Sequence, residues 1–177
     1  MTEYAAFLRG INVGPTTRVP MERLRQVFAD SGVADAQTLL NSGNVVFSSS
    51  RPIAPSKLET RIADETGVAT AVVILDATRL RRIVDAVPFE GDESKLVVAL
   101  MNDVPAGIRL PEASELNPEL FALGADAVYQ WLPNGVSNSK VKPSFWKQFP
   151  PETTVRNLRT LKKVLTMLEA RQLPAQE

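Results

Sequence analysis

The sequence predicts an α+β fold in which short strands alternate with amphipathic helices. The chain has 177 residues, of which 44% are hydrophobic and 23% are charged, a composition typical of a globular protein with a core. Apolar, β-branched runs alternate with segments whose apolar residues recur at helical spacing. Turn and cap residues separate these segments, so element boundaries can be predicted as well.

Residues 1–76 contain a complete set of predicted elements. Pro20 opens the first helix and Gly32 ends it. A Ser-Lys-Leu-Glu capping box at residues 56–59 starts the second helix, which Gly67 ends. The predicted strands are residues 4–9, 38–40, 44–48 and 69–75. The resulting β-α-β-β-α-β order is that of the ferredoxin-like (α/β-plait) split unit. We therefore expect a first domain over residues 1–76, with an antiparallel sheet and helices packed on one face.

Residues 77–177 repeat this order less clearly. Asp76 is predicted to cap a third helix that Pro88 terminates. Next come a strand at residues 95–101, a proline-rich connector with one helical turn at 103–118, and a hairpin with strands at 119–124 and 127–132. Phe145, Trp146 and Phe149 indicate a short helical segment, and the last helix is predicted to start at Thr153 or Thr154. We interpret this half as a variant of the first without an obvious fourth strand.

Composition excludes several classes of function. The chain has no cysteine and no histidine, which excludes a disulfide scaffold, a thiol nucleophile, Cys/His zinc sites and histidine-based triads. No acidic segment has the spacing of a calcium loop, so no metal ligands are predicted. The sequence shows no export signal and no long apolar run, so we expect a cytoplasmic protein.

The charges are balanced overall but unevenly distributed. Lys and Arg number 20, as do Asp and Glu, so no global field favours nucleic acid. Residues 85–139 carry nine acids and two bases, whereas residues 140–177 carry eight bases and three acids. These segments could attract each other within the fold or between copies, but we interpret both as solvated faces.

Four short motifs point to a family. They are Leu-Arg-Gly-Ile-Asn-Val-Gly at residues 8–14, Ser-Gly-Asn-Val-Val-Phe at 42–47, Ser-Lys at 139–140 and Thr-Val-Arg-Asn at 154–157. In this order and at these distances they resemble a largely bacterial family known only as domain of unknown function number sixteen-ninety-seven. The resemblance implies two ferredoxin-like halves and no established activity. The chain departs from the usual pattern at Gly14-Pro15-Thr16-Thr17-Arg18, where the family more often has Gly-Gly and lysines, and also at Asn41 and Leu158.

The motifs also supply the candidate binding residues. A glycine-rich turn before a helix exposes backbone N–H groups that suit phosphate or carboxylate, although the same glycines can be purely structural. The amides and the hydroxyl of Asn41-Ser42-Gly43-Asn44, between the second and third predicted strands, can bind a ligand or simply form the turn. Arg156, placed in the first turn of the last helix, is unfavourable against the helix dipole and so indicates a bound anion or a carboxylate partner. The predicted ligand-binding residues are Arg9, Gly10, Asn12, Gly14, Ser42, Asn44, Lys140, Arg156 and Asn157.

We predict from these residues a module that binds a small anionic ligand between the two halves. A nucleic-acid-binding protein is a second possibility, which the zero net charge disfavours; Tyr4, Phe7 and Phe47 on the first sheet are more typical of a core than of a base-stacking surface. Two more classes fit the composition: a histidine-free, metal-assisted transferase or hydrolase, and an assembly role in which copies pair as a homo-oligomer. The sequence names no cofactor, reaction or catalytic residue.

Overall fold

The computed structural model describes residues 1–172, which form two compact units. The first comprises Met1–Leu80 together with the chain from Lys163, and the second comprises Arg81–Lys162. The predicted domains divide after residue 76 and place the whole last helix in the second half. In the structure the break falls after Leu80, and the last helix contributes its residues from Lys163 onward to the first unit.

The first unit has the predicted ferredoxin-like order. Its elements are β1 (Thr2–Arg9), α1 (Met21–Asp30), β2 (Ala34–Leu39), β3 (Asn44–Ser49), α2 (Pro55–Thr66) and β4 (Ala71–Asp76). The four strands pair in the order β2-β3-β1-β4, and every pairing is antiparallel. β2 is longer than predicted and carries a bulge between Ala34 and Gln37.

The helices and one face of the first sheet enclose an apolar core. Leu24 and Phe28 from α1, and Leu58 and Ile62 from α2, are fully buried against alternate residues of the strands. The ring of Phe47 lies 5.6 Å from that of Tyr4 and 5.4 Å from that of Phe28. Phe7 is also fully buried. The prediction that the aromatic side chains of this sheet belong to the core is thus confirmed.

The predicted capping box of α2 is wrong. The N-cap residue is Ala54, two residues before the predicted cap Ser56, so the helix begins at Pro55, and Ala54 offers no side-chain hydrogen bond. Proline fits the first helical position because its fixed φ and missing N–H match that position. Glu59 is therefore not recruited to the cap, and its carboxylate accepts the backbone N–H of Val72 at 2.8 Å.

Two other predicted helix ends are confirmed. Gly67 closes α2 in the left-handed region, with φ of 71°, which glycine adopts without steric strain. Asp76 caps the next helix, α3 (Ala77–Asp85), because its Oδ1 accepts the backbone N–H of Arg79 at 2.7 Å.

The second unit repeats the strand order of the first. The remaining elements are β5 (Leu96–Leu100), α4 (Ala113–Leu116), β6 (Leu120–Leu123), β7 (Val128–Trp131), β8 (Thr154–Asn157) and α5 (Leu158–Gln172). The four strands pair antiparallel in the order β6-β7-β5-β8. The hairpin predicted over residues 119–132 is confirmed, and its strands are β6 and β7. The predicted lack of a fourth strand is wrong, because β8 occupies the position that β4 holds in the first sheet.

β8 also corrects the predicted start of the last helix. The β-branched residues Thr154 and Val155 pair with Leu100 and Ala99 of β5, where branched side chains pack well. The helix begins at Leu158, and Asn157 caps it by accepting the backbone N–H of Thr160 at 2.9 Å. Arg156 therefore lies in a strand, and the predicted conflict between this cation and a helix dipole does not occur.

An aromatic cluster packs beside the second sheet. The predicted short helical segment is a 3-10 helix at Pro143–Gln148. Phe145 lies 5.1 Å from Phe121, 5.2 Å from Trp146 and 5.4 Å from Phe149, measured between ring centroids. Edge-to-face and tilted contacts of this kind hold a ring more firmly than apolar burial alone.

Charges of the acidic segment (residues 85–139) and of the basic segment (residues 140–177) form ion pairs within the second unit. Asp92 pairs with Arg159 at 3.3 Å, and Glu93 pairs with Lys162. The side chains in these pairs are 38–57% exposed. These four charges are therefore solvated, as we interpreted them, and the two segments also attract each other within the fold, whereas Glu119 of the acidic segment is buried. Hydrogen bonds from Ser94 are the main reason that the pKa of Asp92 lies below its usual range.

Candidate functional site

Asn12 joins the β1–α1 loop to the turn between β2 and β3. Its amide nitrogen donates to the carbonyl oxygens of Val19 at 3.1 Å and Asn41 at 2.7 Å. Its amide oxygen accepts the backbone N–H of Val19 at 2.9 Å. Asn12 has a φ of 54°, a conformation that Asn tolerates better than most residues. The side chain is thus used to hold two loops together.

The backbone N–H groups of this loop are directed at Thr17. The Thr17 hydroxyl accepts from Val13 and Gly14, both at 3.2 Å. The Thr17 carbonyl accepts from Asn12 at 2.7 Å. Donors that were predicted to suit an anion are therefore occupied within the loop. The ligand role of Gly10 and Gly14 stays a prediction.

The hairpin motif packs directly against the first motif. Gly43 has a φ of 81°, and a Cβ added there would lie 2.7 Å from Ile11 Cδ1 and 2.8 Å from Leu8 Cβ. The Gly43 carbonyl accepts the Leu8 N–H at 2.9 Å. No side chain fits at this position, so the close packing of the two motifs requires glycine here.

The flanking residues of the turn differ in exposure. Asn44 is fully buried, and its amide donates to the Leu39 carbonyl at 2.8 Å and to the Ser42 hydroxyl at 3.1 Å. Arg9, Gly10 and Ser42 are exposed. The structure thus gathers the predicted residues of the first unit around one pair of loops, with Asn12 and Asn44 in structural roles.

In the second unit, Arg156 and Asn157 end β8. Arg156 donates from Nη1 to the Thr154 hydroxyl at 2.9 Å and to the Val155 carbonyl at 2.8 Å. Burial lowers the pKa of Arg156 to about 10, so the guanidinium is still charged at neutral pH. Asn157 is the cap of α5. Asn is a strong N-cap residue, but the neighbouring threonines are also favoured caps, and the predicted start of the helix lies at them.

The Ser139-Lys140 motif surrounds a buried carboxylate. Glu119 is 4% exposed, and it accepts the Ser139 hydroxyl at 3.0 Å and the Lys140 backbone N–H at 2.7 Å. The Lys140 ammonium donates to the Asn117 carbonyl. A buried carboxylate that accepts two hydrogen bonds is well satisfied, and it fixes the backbone that carries Lys140.

Lys140 is one of the residues that line a groove, which we call the cationic groove. It has a volume of about 330 Å³, within the range of small-molecule sites. Its charged lining is Arg109, Lys140 and Lys142, with Glu115 as the one acid. Its apolar lining consists of Leu110, Pro111, Leu116, Val141 and Phe145. The groove is therefore amphipathic, with a local excess of positive charge.

Hydrogen bonds fix the backbone of the cationic groove at Arg109 as well as at Lys140. Gln148 accepts the Arg109 N–H at 2.9 Å and donates to the Arg109 carbonyl at 3.2 Å. Within residues 1–172, the side chains of Arg109 and Lys142 make no hydrogen bond or ion pair. Sequence reasoning missed both residues, because Arg109 lies in a proline-rich connector and nothing in the spacing links it to Lys142.

The described residues offer neither a metal cluster nor a membrane span. No group of three or more acidic side chains among residues 1–172 is arranged to hold a metal ion. None of the helices described is both long and apolar enough to cross a membrane. The predicted ligand site that joins residues of both halves stays a prediction.

Comparison with known proteins gives a family and a fold. A family model described as Protein of unknown function (DUF1697) matches residues 1–129. No curated protein matches the sequence. Among solved structures, conserved bacterial protein SP0830 from Streptococcus pneumoniae is similar, with a TM-score of 0.72 and 23% identity over 94% of this chain and 98% of that chain. This likeness confirms the α+β fold, and neither description names an activity.

Proposed function

Since the chain belongs to the family described as Protein of unknown function (DUF1697), we propose a function from the site itself, namely that the protein binds a small anionic molecule in the cationic groove. The observation that carries the proposal is the meeting of Arg109, Lys140 and Lys142 around one cavity of ligand size.

Charge supports an anion as the ligand. Three cationic residues and one acidic residue, Glu115, line the groove, although the segment before Lys140 is strongly acidic. A concave wall of apolar atoms strengthens the field of such cations, because less water screens them there than on an open surface.

Preorganisation supports a specific site over a general attraction. The backbone at Lys140 is fixed by Glu119, and the backbone at Arg109 is fixed by Gln148. A backbone that is held before binding loses less conformational entropy when the ligand arrives, so more of the interaction energy of its side chains appears as affinity.

Thermal unfolding in the presence of phosphate, sulfate and small organic acids tests the proposal. An anion present at about 100 times its dissociation constant stabilises the native state by about 2.7 kcal/mol. For a chain of this size we expect the midpoint to rise by roughly 5–10 °C. Lys142→Gln should weaken binding at least fivefold, because it removes one cation of the groove while keeping a polar side chain of similar length.

Lys147→Gln is the matched control. Lys147 is exposed on the same 3-10 helix segment that borders the groove, but it does not line the cavity. An equal loss in both variants would indicate a general charge effect. No stabilisation of the unchanged protein by any anion would overturn the proposal.

A further inference from the structure

The apolar side of the cationic groove narrows the class of ligand. Building on the proposed function, we infer that the ligand is a phosphate monoester of a planar ring, such as an aryl phosphate or a compact mononucleotide. The inference combines the charge of the groove, the chemistry of its wall and its size.

The charge of the groove matches a dianion. Arg109, Lys140 and Lys142 outnumber Glu115 by two positive charges. A phosphate monoester carries close to two negative charges above its second pKa, which is near 6. Guanidinium and ammonium groups are also the usual protein partners of phosphate oxygens. A carboxylate would leave one cation of the groove without a counter-charge.

The wall of the groove suits a flat apolar group. Phe145 is half-buried and contributes to the cavity lining, together with Leu110 and Pro111. Three aromatic neighbours hold the Phe145 ring at centroid distances of 5.1–5.4 Å. The ring therefore offers a fixed surface on which a second ring can stack or meet edge to face.

The size of the groove sets an upper limit on the ligand. A cavity of about 330 Å³ lies at the lower end of the range for ligand pockets. It accommodates one ring and one phosphate, whereas a dinucleotide cofactor would extend far beyond the lining residues.

Calorimetric titration at pH 8 with three probes tests the inference. The probes are inorganic phosphate, methyl phosphate and phenyl phosphate, which share the anion and differ in the attached group. We expect phenyl phosphate to bind about tenfold more tightly than methyl phosphate, since an aromatic contact and the buried ring both contribute. Phe145→Leu should remove most of this preference and leave the affinity for inorganic phosphate within twofold.

A second variant tests the inference if Phe145→Leu disturbs the aromatic cluster. Leu110 lines the groove and is 54% exposed, so Leu110→Ala should fold normally. We expect it to weaken phenyl phosphate about threefold and to leave methyl phosphate unchanged. Leu120→Ala is the control, because Leu120 is 50% exposed and lies outside the groove.

The probes separate the inference from the function on which it rests. Equal affinities for methyl phosphate and phenyl phosphate would overturn the inference that the ligand carries a planar ring, and would leave the proposal of anion binding intact. Binding of none of the three probes would overturn the phosphate monoester as the ligand, and the proposed function falls as well if sulfate and the organic acids also fail to stabilise the protein. A preference for phenyl phosphate that Leu110→Ala and Leu120→Ala reduce equally would also count against a ring seated in the groove.

Discussion

At the scale of single residues, the buried and hydrogen-bonded Tyr129 makes the stability of the fold depend on pH. It is 3% exposed, and its hydroxyl donates to the Ile83 carbonyl at 2.9 Å. Burial, with a smaller contribution from the charge of Asp126, raises the pKa of Tyr129 from 10.0 to about 12. The folded protein thus keeps this proton at pH values where an unfolded chain releases it.

The sign of the effect follows from proton linkage. The stabilisation is fully present below pH 10, and it is lost as the pH rises from 10 to about 12. Tyr129→Phe should lower the free energy of unfolding by about 1 kcal/mol at pH 8, because the Ile83 carbonyl loses its donor. The variant should also lose less stability than the unchanged protein between pH 10 and 12.

Urea unfolding at pH 8, 10 and 11.5 measures both effects. Arg156, whose pKa is lowered to about 10, titrates in the same range, but it is present in both proteins and cancels in the difference. Identical alkaline slopes for the two proteins would mean that Tyr129 does not carry this pH dependence.

At the scale of elements, the sequence predicts most helices and strands but misplaces those with competing signals. Hydrophobic spacing together with Pro20 and Gly32, which bound the helix, locates α1, and no β-branched run interrupts it. At residues 153–157, by contrast, threonines are good caps and good strand residues at once. Pairing with β5 decides between these states, and that contact between distant segments is not visible in local sequence.

The corrected boundary gives a prediction about caps. Asn157→Ala should lower the free energy of unfolding by about 1 kcal/mol, because the Thr160 N–H loses its acceptor. Thr153→Ala should change stability much less, because the buried Thr153 hydroxyl has no hydrogen-bond partner within the described chain. Chemical unfolding followed by circular dichroism compares the two variants, and the reverse order would restore the predicted helix start at Thr153.

At the scale of the whole molecule, one strand order occurs in two units built from different amounts of helix. In the first unit, α1 and α2 cover the sheet. In the second unit, the corresponding connections hold α4, with four residues, and short 3-10 helices. Weak helical periodicity is therefore the reason that the sequence predicts the second half only as a variant of the first. The candidate groove was concealed for a related reason, since its cations come from two irregular connections that only the folded chain brings together.

A buried ionic cluster joins the two ends of the described chain within the first unit. Arg171 donates from Nε to Glu3 at 2.6 Å and from Nη2 to the Ser48 hydroxyl at 3.0 Å. Ser48 in turn donates to Glu3 at 2.7 Å. The charged side chains are only 12% and 9% exposed. Each of the three side chains contacts the other two, and removing Arg171 or Glu3 leaves the other charge buried and uncompensated.

The cluster gives a prediction for the stability of the first unit. Arg171→Ala should lower the free energy of unfolding by about 3 kcal/mol, because the Glu3 carboxylate is left buried without its cation. Arg23→Ala is the control, since the Arg23–Glu65 pair is 55% and 51% exposed and such pairs contribute less than about 1 kcal/mol. Adding Glu3→Gln to Arg171→Ala should recover part of the loss, because no unpaired charge then remains. Equal midpoints for the two arginine variants in urea, followed by circular dichroism, would show that the last helix is held by its apolar face and that the buried ion pair adds nothing.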